Sequence, residues 1–240
     1  MIGGPRKKLP PWECRETLSD IMQWDVATWK YGLRFWGQKT RVFGSKLGLE
    51  IGGHDGGLSL FLALNGCRVV CSDLYGPTVR AKELHRNYGV SGLVSYECVD
   101  VKSIPFPDEH FDVVILKSVL GALGSDDSEL KAQHEAVSEV RRVLKTGGQF
   151  LFAENTRGSS MHVLLRRHLV PWGRNWQYFT IAQIADLLSE FTVVDLSFRG
   201  FAATLGRSEW QRSLLSNLDR VLVPLLPITL RYVVFGSALK

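Results

Sequence analysis

Lys46-Leu47-Gly48-Leu49-Glu50-Ile51-Gly52-Gly53-His54-Asp55-Gly56-Gly57 is an apolar run that ends on an acid and breaks into glycines. A helical pattern from Leu58 to Leu64 follows at once. A buried strand, a tight turn and a helix N-terminus together make a nucleotide cradle. Glycine lets the backbone approach a ligand that a Cβ would push away. Which nucleotide fits is decided by the elements on either side.

Downstream, strands and helices alternate. The strand Lys46 to Ile51 leads to a helix from Asp55 to Leu64, stopped by Asn65-Gly66. Arg68 to Ser72 is the second strand and ends on Asp73. Pro77 takes a first helical position, and that helix runs to about Tyr88. Val94 to Val99 ends on Asp100, and Phe111 to Leu116 is apolar enough to be buried on both faces. Ser128 to Leu144 is a helix closed by Lys145-Thr146-Gly147-Gly148, and Gln149 to Ala153 is a strand ending on Glu154. The alternation implies a parallel α/β sheet with helices on both sides, and right-handed crossovers make it doubly wound.

The flanks are less regular. Met1 to Pro11 is a basic tail, and Trp12 to Trp36 is one helix with Met22, Val26, Trp29, Leu33 and Trp36 on one face. Trp24, Tyr31 and Phe35 lie on another, so the helix either packs on the core or covers an apolar substrate as a lid. Asn155 to Gln177 is a loop or short helix rich in Arg, His and Trp. Thr180 to Gln183 is a capping box opening a helix to about Glu190, and Thr192 to Phe198 is a strand. Ser208 to Gln211 is a second capping box, whose helix carries Leu214, Leu218, Val221 and Leu225 on one stripe. That stripe is expected to pack against the sheet. Tyr232 to Leu239 closes the fold as a strand.

Ligands of doubly wound sheets bind beyond the carboxyl ends of the strands. Those ends carry Glu50, Gly52, His54 and Gly56, then Asp73, Asp100, Lys117 with Ser118, and Glu154 with Asn155. Asp73 stands 23 residues after Glu50, where a carboxylate can grip two ribose hydroxyls, and Asp100 can accept from an adenine amino group. NAD and S-adenosylmethionine both meet this description. A dinucleotide fingerprint wants glycine at 52, 54 and 57, and His54 blocks the middle position where the pyrophosphate needs close backbone approach.

Two further segments tip the balance. Ile104-Pro105-Phe106-Pro107-Asp108-Glu109-His110-Phe111-Asp112-Val113-Val114 resembles a stretch of class I S-adenosylmethionine-dependent methyltransferases of the ubiquinone type, the type 11 group. Glu139 to Gly148 is similar to that family's helix and turn before the fifth strand. The resemblance covers about residues 45 to 155 and implies a Rossmann-like seven-stranded sheet with the last strand antiparallel. To this the residue patterns add an N-terminal helical lid and a C-terminal helical insertion, so the expected division is 1–40, the tail and aromatic lid helix, and 41–240, one methyltransferase domain whose residues 155–230 carry substrate-side insertions. It implies S-adenosyl-L-methionine as cofactor, held by Glu50, Gly52, Gly53, His54, Gly56, Asp73, Leu74, Asp100, Val101, Lys117 and Ser118. The family usually places glycine where His54 stands.

A base matters for hydroxyl acceptors and little for amines or soft carbanions. His162, after the fifth strand, is the first candidate for that catalytic role and His54 the second; Tyr178 and Glu154 are weaker. His85 and His134 are expected on helix surfaces, and His110 lies at the wrong end of the sheet. Leu116-Lys117-Ser118-Val119 is no Asn-Pro-Pro-Tyr motif, which argues against amino-group methylation of adenine or glutamine; no Pro-Cys pair offers cytosine C5 chemistry.

The 240 residues suit one generous domain, and a net charge of +5 is mildly basic, compatible with anionic substrates, lipid headgroups or RNA. Cys14, Cys67, Cys71 and Cys98 form no Cys-x-x-Cys pair, so no metal site is expected and a reducing, cytoplasmic setting fits. No apolar run reaches the length of a membrane span. The leading expectation is O-methylation of a small or medium, partly apolar acceptor, lipid- or glycan-linked in some form. Arg199 to Pro227 resembles a segment of methyltransferases of glycan and secondary-metabolite pathways. A nucleic-acid methyltransferase would need the basic, aromatic run Arg157, Arg166, Arg167, Trp172, Arg174 and Trp176 to form one track. A third reading is a non-catalytic scaffold with the helix after Ser208 lying on a membrane surface.

Overall fold

The computed structural model describes residues 14–40, 43–124, 130–169 and 173–240. The tail Met1–Pro11, Trp12, Ser128 and the run Val170-Pro171-Trp172 lie outside the described residues.

The elements follow in the order α1 (Arg15–Met22), α2 (Val26–Lys39), β1 (Leu47–Ile51), α3 (Gly57–Leu64), β2 (Arg68–Asp73), α4 (Val79–Asn87), β3 (Val94–Cys98), β4 (Phe111–Lys117), α5 (Lys131–Val143) and β5 (Leu144–Asn155). Then come α6 (Ser160–Leu169), α7 (Ile181–Leu187), β6 (Val193–Arg199), α8 (Glu209–Leu222) and β7 (Val233–Leu239). The seven strands are ordered β3-β2-β1-β4-β5-β7-β6. Pairs from β3 through β5 are parallel, and β7 runs antiparallel between β5 and β6. The doubly wound sheet with an antiparallel last strand is therefore present.

Strand alternation sends successive side chains to opposite layers. Val114 and Leu116 of β4 and Phe150 and Phe152 of β5 face α5 and α7, where Val140 and Ile184 are fully enclosed. Val113, Ile115, Leu151 and Phe235 face α2 and α3. Trp29, Leu33 and Trp36 are wholly buried there, and the Trp36 indole donates to the Gly236 carbonyl at 3.0 Å. The body of α2 is thus part of the core.

Four expectations need correction. The helix expected over Trp12 to Trp36 is broken at Gln23 and Asp25, both at positive φ, 65° and 44°. Local pattern is overridden from 184 residues away: the Glu209 carboxylate of α8 accepts the Asp25 and Val26 amides at 2.7 and 3.1 Å and so caps α2. Pro77 precedes the cap rather than opening α4; Thr78 is the N-cap, its hydroxyl accepting from the Ala81 amide. The stripe on α8 does not pack on the sheet. Leu214, Leu218, Val221 and Leu225 are 58%, 49%, 65% and 79% exposed, and Trp210 on the same helix 73%. Ser208 caps α8 through the Gln211 amide, but the Gln211 side chain turns to the Arg207 amide, so only half a capping box forms.

Replacing Glu209 tests this link between α8 and α2. Glu209→Ala is expected to cost about 1 kcal/mol, the usual worth of an N-cap, and to lower Tm by about 2–4 °C. Glu209→Gln, which keeps one acceptor oxygen, should fall between. A thermal melt of the three proteins checks the order.

Candidate active site

Two cavities open beyond the carboxyl ends of the central strands. The first, about 300 Å³, is walled by Gly52, Asp73, Leu74, Asp100, Val101, Ser118 and Val119 among others. The second, about 460 Å³, is walled by Trp24, Asp25, His54, Lys117, Asn155, Arg166, Trp176 and Tyr232, and again by Gly52 and Ser118. Gly52 and Ser118 therefore stand between a nucleoside-sized space and a second space under the α1–α2 turn.

The glycine turn is set by its geometry. Gly52 has φ +69°, and a Cβ there would run into the Val119 side chain. Gly56 has φ +75°, and a Cβ there would strike the His85 ring. His85 is fully buried, which corrects its expected surface position. Its ring nitrogens meet the Gly56 carbonyl at 2.9 Å and the Tyr96 hydroxyl at 2.8 Å, and burial holds its pKa below the ordinary histidine value. His54 occupies the left-handed region at φ 39°, which shows why glycine suits this position. Its side chain is 70% exposed, 3.2 Å from Asp55, and its amide donates to Asp73 Oδ2 at 3.1 Å.

Glu50 lies behind the loop, not on either cavity wall. Its carboxylate accepts the Leu58 and Ser59 amides at 3.0 and 2.8 Å, at the start of α3, and burial raises its pKa. Gly53 and Gly56 are likewise buried beneath the turn. Asp100 Oδ1 accepts the Lys102 amide at 2.9 Å. Lys117 donates to the Met22 carbonyl, with its ammonium 5.0 Å from the Trp24 ring centroid and 5.3 Å from that of Trp29. Desolvation lowers its pKa to about 8. The end of β4 is thereby tied to the end of α1.

The first base candidate is not a free group in the cleft, whereas the second, His54, stands exposed on the wall of the second cavity beside Asp55. His162 is completely buried; Ser159 hydrogen-bonds its Nδ1 at 2.8 and 3.0 Å, and its Nε2 meets the Phe201 carbonyl at 2.8 Å. It pins α6 to the segment before α8, and that double engagement removes it from the cleft chemistry. Glu154 is buried and accepts the Val119, Leu120 and Gly121 amides at 2.8, 2.7 and 3.4 Å. It shapes the loop that walls the first cavity. Tyr178 is buried under Arg166.

The structure supplies a carboxylate that sequence reasoning missed. Asp25 is 2% exposed and lines the second cavity. The Tyr232 hydroxyl donates to its Oδ2 at 2.7 Å, while Oδ1 has no hydrogen-bond partner. Desolvation lifts its pKa to about 6. Ser118 Oγ and Asn155 Nδ2 are also buried without partners, and both residues line the same cavity. Unpartnered buried polar atoms around one space fit a polar ligand. The basic track does not form: Arg166 is turned inward, Trp176 lines the cleft, and Arg157, Arg167 and Arg174 are exposed. Among the described residues no group of three His, Cys, Asp or Glu side chains can hold a metal, and no helix is long and apolar enough to cross a membrane.

Residues 49–152 match the family model described as "Methyltransferase domain". Ubiquinone/menaquinone biosynthesis C-methyltransferase UbiE of Shewanella sp. (strain ANA-3) is 29% identical over 160 residues, 63% of this chain and 58% of the relative. Residues 49–152 thus carry a methyltransferase domain, similar to that of the ubiquinone-type S-adenosylmethionine-dependent enzymes. The UbiE protein of Pseudomonas paraeruginosa (strain DSM 24068 / PA7) is 31% identical over 150 residues, 60% of this chain and 55% of the relative. The chain thus spans somewhat over half the length of these curated relatives. Phosphoethanolamine N-methyltransferase 2 of Haemonchus contortus superposes with a TM-score of 0.63 at 14% identity, over 96% of this chain and 58% of that one, a likeness in fold alone. The cofactor of this domain is S-adenosylmethionine. Asp73, Leu74, Asp100 and Val101 line the first cavity, and Gly52 and Ser118 line both.

The buried Glu154 makes stability depend on pH. Its folded pKa is raised from 4.5 to about 7, mainly by desolvation, so its contribution is full below pH 4.5 and is lost as pH rises through 7. A shift of that size is worth about 3 kcal/mol. Asp25 acts in the same direction, over pH 3.8 to about 6. Glu154→Gln should therefore flatten the fall in stability between pH 5 and pH 8. Urea melts at the two pH values check it; an unchanged slope would place the titration elsewhere.

Proposed function

We propose that the protein transfers a methyl group from S-adenosylmethionine to the oxygen of an acidic hydroxyl, phenol- or enol-like, on a partly apolar acceptor. The observation that carries this reading is Asp25: a carboxyl group in the second cavity with pKa near 6, one oxygen held and the other unpartnered. At neutral pH it is mostly ionised and can take a hydroxyl proton. Amine acceptors would need no such group.

S-adenosylmethionine, when bound, supplies a methyl group already activated by its sulfonium. Asp25 takes the acceptor's proton at Oδ1 while Tyr232 keeps Oδ2 in place. Lys117, kept in the same cavity by Met22, Trp24 and Trp29, stabilises the ionised oxygen electrostatically. Trp24 and Trp176 offer flat apolar walls that orient a ring. The turn Gln23–Asp25 acts as the lid. A second reading, methylation of a ring carbon, is favoured by the similarity to proteins named as C-methyltransferases. An ionised phenol is nucleophilic at oxygen and at its ring carbons, so one base serves both.

The exposed apolar face of α8 supports a lipid-linked acceptor. The helix bears Arg212, a wall of the second cavity, and exposed Arg220, with Arg207 just before it. Apolar side chains flanked by arginines fit an anionic lipid surface. Trp210→Glu with Leu214→Glu should abolish co-sedimentation with phosphatidylglycerol vesicles without unfolding the protein.

The reaction is tested with S-[¹³C-methyl]adenosylmethionine and a panel of phenols, quinols and amines. The carbon shift of the product separates a methoxy group from a ring methyl. Transfer to amines alone would overturn the reading.

A further inference from the structure

We infer that the acceptor carries an anionic group, a carboxylate or phosphate, seated on Arg166 inside the cleft. This rests on the methyl-acceptor reading of the second cavity and names a substrate feature within it.

Arg166 is 5% exposed, yet it lines that cavity. Its Nε donates to the His162 carbonyl at 3.2 Å, and its Nη2 donates to the Thr156 and Arg157 carbonyls at 2.8 and 2.6 Å. The guanidinium lies over the Tyr178 ring at 4.1 Å. These contacts hold the fork rigidly and neutralise none of its charge. No carboxylate among the described residues pairs with it, and burial pulls its pKa below the ordinary arginine value. Nη1 is buried with no partner.

A buried guanidinium without a counter-ion and with a free N–H is an expensive arrangement to keep. An oxyanion resolves both faults, because the planar fork matches carboxylate and phosphate oxygens. On the same cavity, besides Asp25 Oδ1, two atoms able to donate are buried without partners, Asn155 Nδ2 and Ser118 Oγ. Arg212, also on the wall, is already paired with Glu209 at 2.8 Å. Lys117, the third cation on the wall, donates to the Met22 carbonyl and faces the reacting oxygen, which leaves the Arg166 fork for a second, anionic group of the acceptor.

The competing source of an oxyanion is the carboxylate of the cofactor itself, and the experiment separates the two. S-adenosylhomocysteine is first titrated into the protein by calorimetry. Inorganic phosphate and benzoate are then titrated into the saturated complex. The wild type is expected to bind one of these anions at one site. Arg166→Met should weaken that binding about ten- to hundred-fold and leave S-adenosylhomocysteine affinity within two-fold. Arg166→Lys should fall between. Asn155→Ala, which leaves the carbonyl contacts of Arg166 intact, should weaken the anion several-fold and serves if Arg166→Met does not fold. Anion binding absent in the wild-type complex, or unchanged in both Arg166→Lys and Asn155→Ala, overturns the inference. Loss of S-adenosylhomocysteine affinity in Arg166→Met assigns the arginine to the cofactor and overturns it too. Failure of the wild type to bind S-adenosylhomocysteine would instead sink the methyltransferase reading beneath it.

Discussion

Asp25→Asn is expected to lower kcat by about a hundred- to ten-thousand-fold while S-adenosylhomocysteine affinity stays within two-fold. The substitution keeps the volume of the side chain and an acceptor oxygen for the Tyr232 hydroxyl, so the cleft should hold its shape. What it removes is the acid–base group. A wild-type profile of kcat/KM should rise with pH through about 6, as Asp25 ionises. The variant should lose that limb. Tyr232→Phe gives a second readout. The Tyr232 hydrogen bond lowers the Asp25 pKa, so its removal should move the limb to higher pH. A merely structural Asp25 would lower activity at every pH and leave the limb in place. A limb that persists in Asp25→Asn would assign the base to another group.

The sheet was legible because its signals are local. Glycine turns, an acid at the end of each early strand and the apolar runs of β1, β2 and β4 are all short-range patterns, and the structure places them where the pattern says. Asp73, Leu74, Asp100 and Val101 come together for the same reason: each stands at a strand end, and strand order in a doubly wound sheet brings those ends to one crevice. The acceptor side was not legible. Asp25 enters the cleft because Glu209 and Tyr232, both about 200 residues away in sequence, turn α2 around it. His162 and Arg166 share one helix of mixed polarity, and nothing in its periodicity tells which side chain faces the cleft. His85 reads as one more polar position on a charged helix, yet it is locked beneath Gly56. The α8 stripe shows the complementary limit: an amphipathic pattern identifies an apolar face but not what covers it.

Asp73→Ala should weaken S-adenosylhomocysteine binding at least about 100-fold, a loss of about 3 kcal/mol. Asp73 ends β2, half-buried on the wall of the 300 Å³ cavity. Its Oδ2 accepts the His54 amide, so one carboxylate links the glycine turn to the wall of that cavity. Alanine removes both the charge-assisted bonds to the ligand and the anchor of a residue held at positive φ. Asp73→Asn keeps the volume and one acceptor, so it should lose less. Asp100→Ala should lose only about ten-fold, because a carboxylate that accepts one bond from an adenine amino group gives up less than one that grips two ribose hydroxyls. The order Asp73→Ala, then Asp73→Asn, then Asp100→Ala separates a ribose clamp from a general negative field. A field would make the two alanine variants equal and salt-sensitive, whereas a clamp makes them unequal and nearly indifferent to salt. Calorimetry at two ionic strengths reads the difference. Equal affinities for wild type and Asp73→Ala would remove Asp73 from the cofactor site.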